Sequence, residues 1–317
     1  MVILATGAHE YQPTEYGYGS NDRILTQRSF EEKLAQGDNG VKTARNVVMI
    51  QCVGSRDEKH PYCSRICCTE AIKNGLKLKE MNPEVNIYVL YRDIRTYGFN
   101  ELYYKEAREK GVVFIRYEVD GKPEVNVENG QIGVRVFDEI LNRYLKINPD
   151  YLILSAGVHP RSDCEDLAKK LKLPLNADKF FLEAHMKLRP LDFSNEGFFL
   201  AGLAHAPKFI NECITQARGA AARAVTIISE KKRNVGGMVS VVDKEHCAAC
   251  LTCVRECPFN VPVITEEGVA YIEAAACQGC GICASACPRK AIELQHYKDG
   301  QILAKCETIF ETCEALS

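Results

Sequence analysis

The 317-residue chain is 46% hydrophobic and 26% charged, with a formal net charge of -2 and no Trp, a composition that suits a globular protein of two or three packed domains. Its last 75 residues hold 11 acidic against 6 basic side chains. No stretch reaches the roughly 18 to 20 apolar residues that cross a bilayer, and the opening MVILATGAHE has neither a basic start nor a small-residue cleavage site. Nucleic acid, a membrane span and export are therefore not expected, and the 16 cysteines of a chain expected in the cytoplasm read as metal ligands or redox groups rather than disulfides.

In chain order, MVILATG (1–7) reads as a buried strand ending in a glycine turn and RNVVMIQCVG (45–54) as a second strand. SRICCTEAIKNGLKLKE (64–80) reads as a helix and VNIYVLYRDIR (85–95) as a third strand, which makes a βαβ unit. EVNVENGQIGVRVFD (124–138) alternates about an Asn-Gly pair, the mark of a hairpin. DYLILSAGVHP (150–160) is a strand that again ends in small residues, and residues 196–230 give a strand, a tight turn and a long alanine-rich helix. KKRNVGG then links this α/β region to a cysteine-rich end.

Two cysteine patterns carry the chemistry. In QCVGSRDEKHPYCSRICC, Cys52, Cys63, Cys67 and Cys68 follow C-x10-C-x3-C-C, with the last two adjacent at a helix start. Such a set suits something larger than one tetrahedral zinc ion, and a 4Fe-4S cluster fits; a redox disulfide with spare thiols, or buried structural cysteines, are the alternatives. Near the C-terminus, CAACLTCVRECP and CQGCGICASACP both read C-x2-C-x2-C-x3-C-P. That repeat resembles the bacterial two-cluster ferredoxin, in which the fourth cysteine of each run crosses to the other cluster. The resemblance implies one 4Fe-4S cluster on Cys247, Cys250, Cys253 and Cys287 and another on Cys277, Cys280, Cys283 and Cys257. Zinc would need neither three cysteines in tandem nor the trailing Pro258 and Pro288. Cys164, Cys213, Cys306 and Cys313 lack ligand spacing and are assigned no cluster, the last two staying open as ligands in a partner's site.

ILATG, ILSAG and GFFLAGLAHAP with ITQARGAAARA, in that order, resemble flavoprotein disulfide reductases of the thioredoxin reductase type. That family implies an FAD domain interrupted by a nicotinamide-binding domain. Ala5, Thr6 and Gly7, then Ser155, Ala156 and Gly157, would mark the two crossings, with Gly202 and Leu203 near the pyrophosphate and ribityl. The amides of Lys208, Phe209 and Ile210, opening a helix, would face the pyrimidine edge of the flavin. Lys187, with His185 and Arg189, offers a cation beside the ring, a solvated loop being the alternative; Tyr91, Arg92 and Arg95 are expected at an interface.

The fold class expected is α/β, part of a thioredoxin reductase-like two-dinucleotide-fold flavoprotein, followed by a small α+β two-cluster ferredoxin domain. Residues 1–40 with 150–235 would be the flavin-domain portion, 41–149 a nicotinamide-domain-like unit carrying a cluster, and 236–317 the ferredoxin unit and tail. The chain departs from the reductases in two places. It has no G-x-G-x-x-G; GYGSND (17–22) lacks the third glycine and the strand-to-helix setting. Another polypeptide is therefore expected to supply the first half of the flavin domain, a truncated reading frame being the alternative. The second departure is that cysteines stand where a nicotinamide domain would run into glycines.

QCVGSRD and YCSRICC, with YRDIRTYG after them and the double ferredoxin run, resemble the HdrA family of heterodisulfide reductase subunits and its relatives over nearly the whole chain. The resemblance implies FAD and three 4Fe-4S clusters in an electron-transfer subunit, with flavin-based bifurcation or confurcation and no catalytic residue that bonds a substrate. Implied partners are other subunits of such a complex, including one completing the flavin domain, and further iron-sulfur proteins; homodimerisation of the complex stays open. The alternatives are a ferredoxin-fused NAD(P)H-dependent flavin oxidoreductase, a cluster relay without flavin and a quinone-interacting oxidoreductase subunit.

Overall fold

The computed structural model describes residues 1–230 and 238–314, with side chains up to Ile309. The expected linker at 231–237 and the side chain of Cys313 lie outside the described residues. The first elements are β1 (Val2–Leu4), β2 (Ala8–Glu10), β3 (Ile24–Thr26), α1 (Gln27–Gln36), α2 (Asn39–Lys42), β4 (Asn46–Val53) and α3 (Cys67–Met81). Then come β5 (Asn86–Tyr91), α4 (Glu101–Glu109), β6 (Val113–Arg116), β7 (Glu124–Glu128), β8 (Gln131–Asp138), β9 (Arg143–Ile147), β10 (Tyr151–Ala156) and β11 (Val158–Pro160). α5 (Cys164–Leu171), β12 (Phe198–Leu200) and α6 (Ile210–Ile228) complete the α/β region.

Five parallel strands in the order β3-β10-β4-β5-β6 form the central sheet. Strand β4 is apolar on both faces because both are covered. Val47 and Met49 pack with Phe30, Ala71 and Ile72 of α1 and α3. Val48 and Ile50 pack on the other side with Ile132, Val134 and Val136 of the antiparallel sheet β7-β8-β9. That second sheet turns at Asn129 and Gly130, both left-handed, as the Asn-Gly pair predicts. The parallel sheet also draws in β3, α1 and β10, which the sequence reading set in the flavin-domain portion. Helix α1 starts where the Thr26 hydroxyl accepts from the Ser29 amide and ends at left-handed Gly37.

Two short pairings lie outside this sheet. β1 runs parallel to β12, with Leu4 opposite Leu200, and β2 runs antiparallel to β11, with His9 opposite His159. The strand expected over 150–160 is thus two strands hinged at Gly157. A methyl group there would lie 2.8 Å from the Gly54 carbonyl oxygen and 3.2 Å from the side chains of Ser55 and Ser64, so only glycine lets the hinge meet the cysteine loop.

The C-terminal unit is built from β13 (Ser240–Val242), α7 (Thr252–Glu256), β14 (Val263–Ile264), β15 (Ala270–Tyr271), α8 (Ile282–Ala286) and β16 (Ile292–Leu294), followed by helix α9 (Asp299–Glu314). β13 pairs with β16 and β14 with β15, both antiparallel. Cys253, Ala270, Cys283 and Ile292 form its small core.

Candidate iron-sulfur and flavin site

Each ferredoxin run winds its cysteines around a cavity through the same backbone device. Ala249, Leu251 and Asn260 are left-handed, and so are Gly279, Gly281 and Lys290, each 30 residues further on. Left-handed residues between helical ones turn successive N–H groups to one side, which makes a concave lining suited to an anion. The Ala270 amide donates to Cys247 Sγ at 3.4 Å and the Ala291 amide to Cys287 Sγ at 3.3 Å. One cavity is lined by Cys247, Cys250, Cys253 and Cys287. Its twin is lined by Cys257, Cys277, Cys280 and Cys283. Four thiols with inward amides suit a cubane of four irons in each. Among the described residues, no three His, Cys, Asp or Glu side chains are placed to hold a single metal ion.

The second cysteine set sits at the carboxyl ends of the parallel strands, where open α/β sheets bind ligands. Ile50 pairs with Leu154 and Val53 with Ala156, so β4 carries one extra residue there, and Cys52 within it is left-handed at φ 61°. That bulge aims Cys52 toward the start of α3. Cys67 and Cys68 open α3; the Cys67 thiol lies 3.7 Å from the Ala156 carbonyl oxygen and the Cys68 thiol 3.6 Å from that of Asp93. Cys63 Sγ accepts from the Arg65 amide at 3.3 Å.

Burial pushes the Cys67 thiol well up, and negative charge on Cys68, Cys52 or Cys63 pushes it further. Burial likewise raises Cys68 to about 11 and lifts Cys52. The four are near enough to sense one another, and as bare thiols Cys52, Cys67 and Cys68 stay protonated at neutral pH. Metal inverts this by taking thiolates. Two cations stand by: Arg56 pairs with Asp93 at 2.6 Å and reaches Cys52 Sγ at 4.0 Å, and Arg92 donates to the Arg56 carbonyl at 2.6 Å. The donor set fits an iron-sulfur cluster.

The flavin candidates divide between two places. Ala5, Thr6 and Gly7 leave the carboxyl end of β1 beside Gly202 and Leu203, which leave that of β12; the Ala201 amide donates to the Leu4 carbonyl between them. Ala5 and Thr6 are exposed, and beside Gly7 and Gly202 there is open space, so this edge has room for a ligand. Ser155, Ala156 and Gly157 lie elsewhere, against the cysteine loop. Ser155 is buried and bonded to Gln27 at 3.1 Å, while Ala156 and Gly157 back Cys67 and Gly54. At the helix opening one of the three expected amides is already bonded within the chain. Glu212 Oε2 takes the Phe209 N–H at 2.7 Å, Ile210 is exposed, and Gln216 takes the Gly202 N–H at 2.8 Å. Lys187 stands exposed in a turn whose amides bond His185.

Lys208 is buried, with Nζ donating to the Gly202 carbonyl at 2.9 Å and to His205 Nδ1 at 3.2 Å. Since Gln216 also bonds that Nδ1, the proton of His205 sits on Nε2, 2.8 Å from Glu183. Burial, with help from Lys208, lowers His205, and burial pushes Lys208 down from 10.5 to about 8. Between those two values the unfolded chain binds a proton that the folded chain does not. Stability therefore rises as pH climbs from about 8 to 10.5, and Lys208→Met removes that share of the rise, read as denaturant midpoints at about pH 8 and about pH 10. Equal pH slopes in both proteins would contradict it.

Arg65 is the physical link that sequence reading missed. It joins the cysteine loop to the helix-opening segment, donating to the Pro207 carbonyl at 3.0 Å and to Glu212 at 2.6 Å, with Tyr97 as a third partner. The residue lies in the quoted stretch, but a contact spanning 147 positions leaves no local sign.

Residues 246–292 match the family described as 4Fe-4S dicluster domain. The chain is 37% identical over 96% of its length to the HdrA-type subunit of the H(2):CoB-CoM heterodisulfide,ferredoxin reductase of Methanothermobacter marburgensis, covering 48% of it. It is 38% identical over 99% of its length to the CoB--CoM heterodisulfide reductase iron-sulfur subunit of the same type from Methanocaldococcus jannaschii, covering 51% of that protein. Among solved structures, T. acidophilum thioredoxin reductase aligns with TM-score 0.48 and 15% identity over 72% of this chain and 66% of its own. The chain thus spans about half the length of the curated relatives it matches. Over that span it is a homologue of the HdrA-type subunit of heterodisulfide reductase, ending in a 4Fe-4S dicluster domain.

Proposed function

We propose that the chain moves electrons between a flavin and three 4Fe-4S clusters as a subunit of a heterodisulfide reductase-like complex. The observation that carries this reading is the gathering of Cys52, Cys63, Cys67 and Cys68 at the carboxyl ends of β4, β10 and β5. A nucleotide domain would present its ligand pocket there. These four cysteines hold the third cluster, and the eight of the C-terminal unit hold the other two in the crossed pairing.

When bound, FAD supplies a centre that exchanges electrons in pairs while clusters exchange them singly. Ala5–Gly7 and Gly202–Leu203 line its edge, and Lys208 is the cation held beneath Gly202. Arg56 and Arg92 offset the charge of four thiolates, and Arg65 ties the cluster loop to the flavin edge. Relatives whose names pair a heterodisulfide with ferredoxin support a division of electrons between two partners, hence bifurcation or its reverse. No helix among the described residues is long and apolar enough to cross a membrane.

The test is anaerobic isolation with native partners, followed by iron and flavin assay and challenge with NADH. About 12 irons per chain with bound FAD, three clusters of four, supports the reading. About 8 irons with NADH bleaching of the flavin overturns it in favour of a nicotinamide-dependent oxidoreductase.

A further inference from the structure

Among the described residues, three buried side-chain polar atoms lack a hydrogen-bond partner: Gln51 Nε2, Gln51 Oε1 and Thr69 Oγ1. Gln51 adjoins Cys52 and Thr69 adjoins Cys68. Elsewhere the same interior is satisfied. Gln27 bonds Ser155 and Asn74, and the Tyr117 hydroxyl donates to the Gln51 carbonyl at 2.8 Å. Gln51 is 1% exposed, and leaving a polar group unpaired at such depth is destabilising. Orphaned atoms confined to the two neighbours of cluster cysteines therefore point to a partner that the protein alone does not supply.

Val47 and Met49 face α1 and α3, and Gln51, two residues on, keeps that alternation up to the bulge at Cys52. Over the first turn of α3 the Cys67 thiol meets the end of β10 and the Cys68 thiol meets Asp93, two residues past β5. Those strands flank β4 on either side. Gln51 stands on β4 between those flanking strands, next to Cys52.

We propose that Gln51 donates a hydrogen bond to a sulfur of the Cys52-Cys63-Cys67-Cys68 cluster and sets its reduction potential; this rests on the three-cluster reading. Of its two orphaned atoms the amide nitrogen is the donor that can bond sulfur, whereas the amide oxygen is an acceptor. Reduction adds negative charge to the cluster, and donors strengthen with that charge, so they favour the reduced form. Gln51 is neither a ligand nor a residue that bonds a substrate. It is a tuning residue.

The experiment uses the full chain, purified anaerobically with its partners, and follows iron content together with an EPR-monitored redox titration. Gln51→Leu keeps about 12 irons per chain and raises the oxidised-to-reduced ratio of this cluster about ten-fold at fixed potential, a shift of about 59 mV to the negative side for one electron. Gln51→Met, of similar length and without a donor, shifts it the same way, and it decides alone if Gln51→Leu loses iron. Full iron with unchanged potential in the variants overturns this proposal only. About 8 irons in the parent chain removes the cluster, and the proposal with it.

Discussion

Replacing Cys67 or Cys68 with Ala lowers iron by about one third, from about 12 to about 8 per chain, and leaves both ferredoxin-type clusters in place. The effect is large because these adjacent thiols start α3 from two sides of β4, one against Ala156 and the other against Asp93. The spare thiols Cys164 and Cys213 sit on other elements, α5 and α6. Stability without metal changes little, since a buried thiol behaves as a small apolar group. Iron assay and cluster-resolved EPR of the two variants measure this. Unchanged iron in both discards the third cluster and returns the loop to structural or disulfide chemistry.

The second large effect concerns the crossed ligands. Cys287→Ala removes about four irons, and so does Cys250→Ala; combined, they still remove about four, because both line one cavity. Cys287→Ala with Cys283→Ala removes about eight, although these cysteines belong to one run and stand four residues apart, because they line different cavities. Ligation run by run reverses the two results. Iron quantitation of the two double variants therefore separates the arrangements without assigning any spectrum.

Local spacing made much of the site legible. Tandem cysteines at fixed intervals declare a cluster because the loop that wraps it is continuous, and both runs do line cavities. The adjacent pair Cys67 and Cys68 falls at a helix start, as read from sequence, though the helix begins three residues later than expected. The flavin residues were harder. ILATG and ILSAG look alike as strings, yet the first leaves a two-stranded edge beside Gly202 while the second runs into the centre of the sheet and backs the cysteine loop. A strand followed by small residues has the same periodicity in either place. Likewise the Phe209 amide reads as free at a helix start until Glu212, three residues on, claims it.

From the sequence alone came what depends on neighbours along the chain. It supplied the α/β order of elements, the Asn-Gly hairpin, the two ferredoxin runs and the displacement of a phosphate loop by cysteines. Only the tertiary structure decided which strands flank β4, where Cys52 points once a bulge has turned it, and that Arg65 reaches Glu212. It also decided that the side chain of Gln51 lies buried without a partner. The reason is physical. Periodicity and ligand spacing act over a few residues, whereas a parallel sheet brings together segments more than a hundred positions apart through crossovers that leave no local mark.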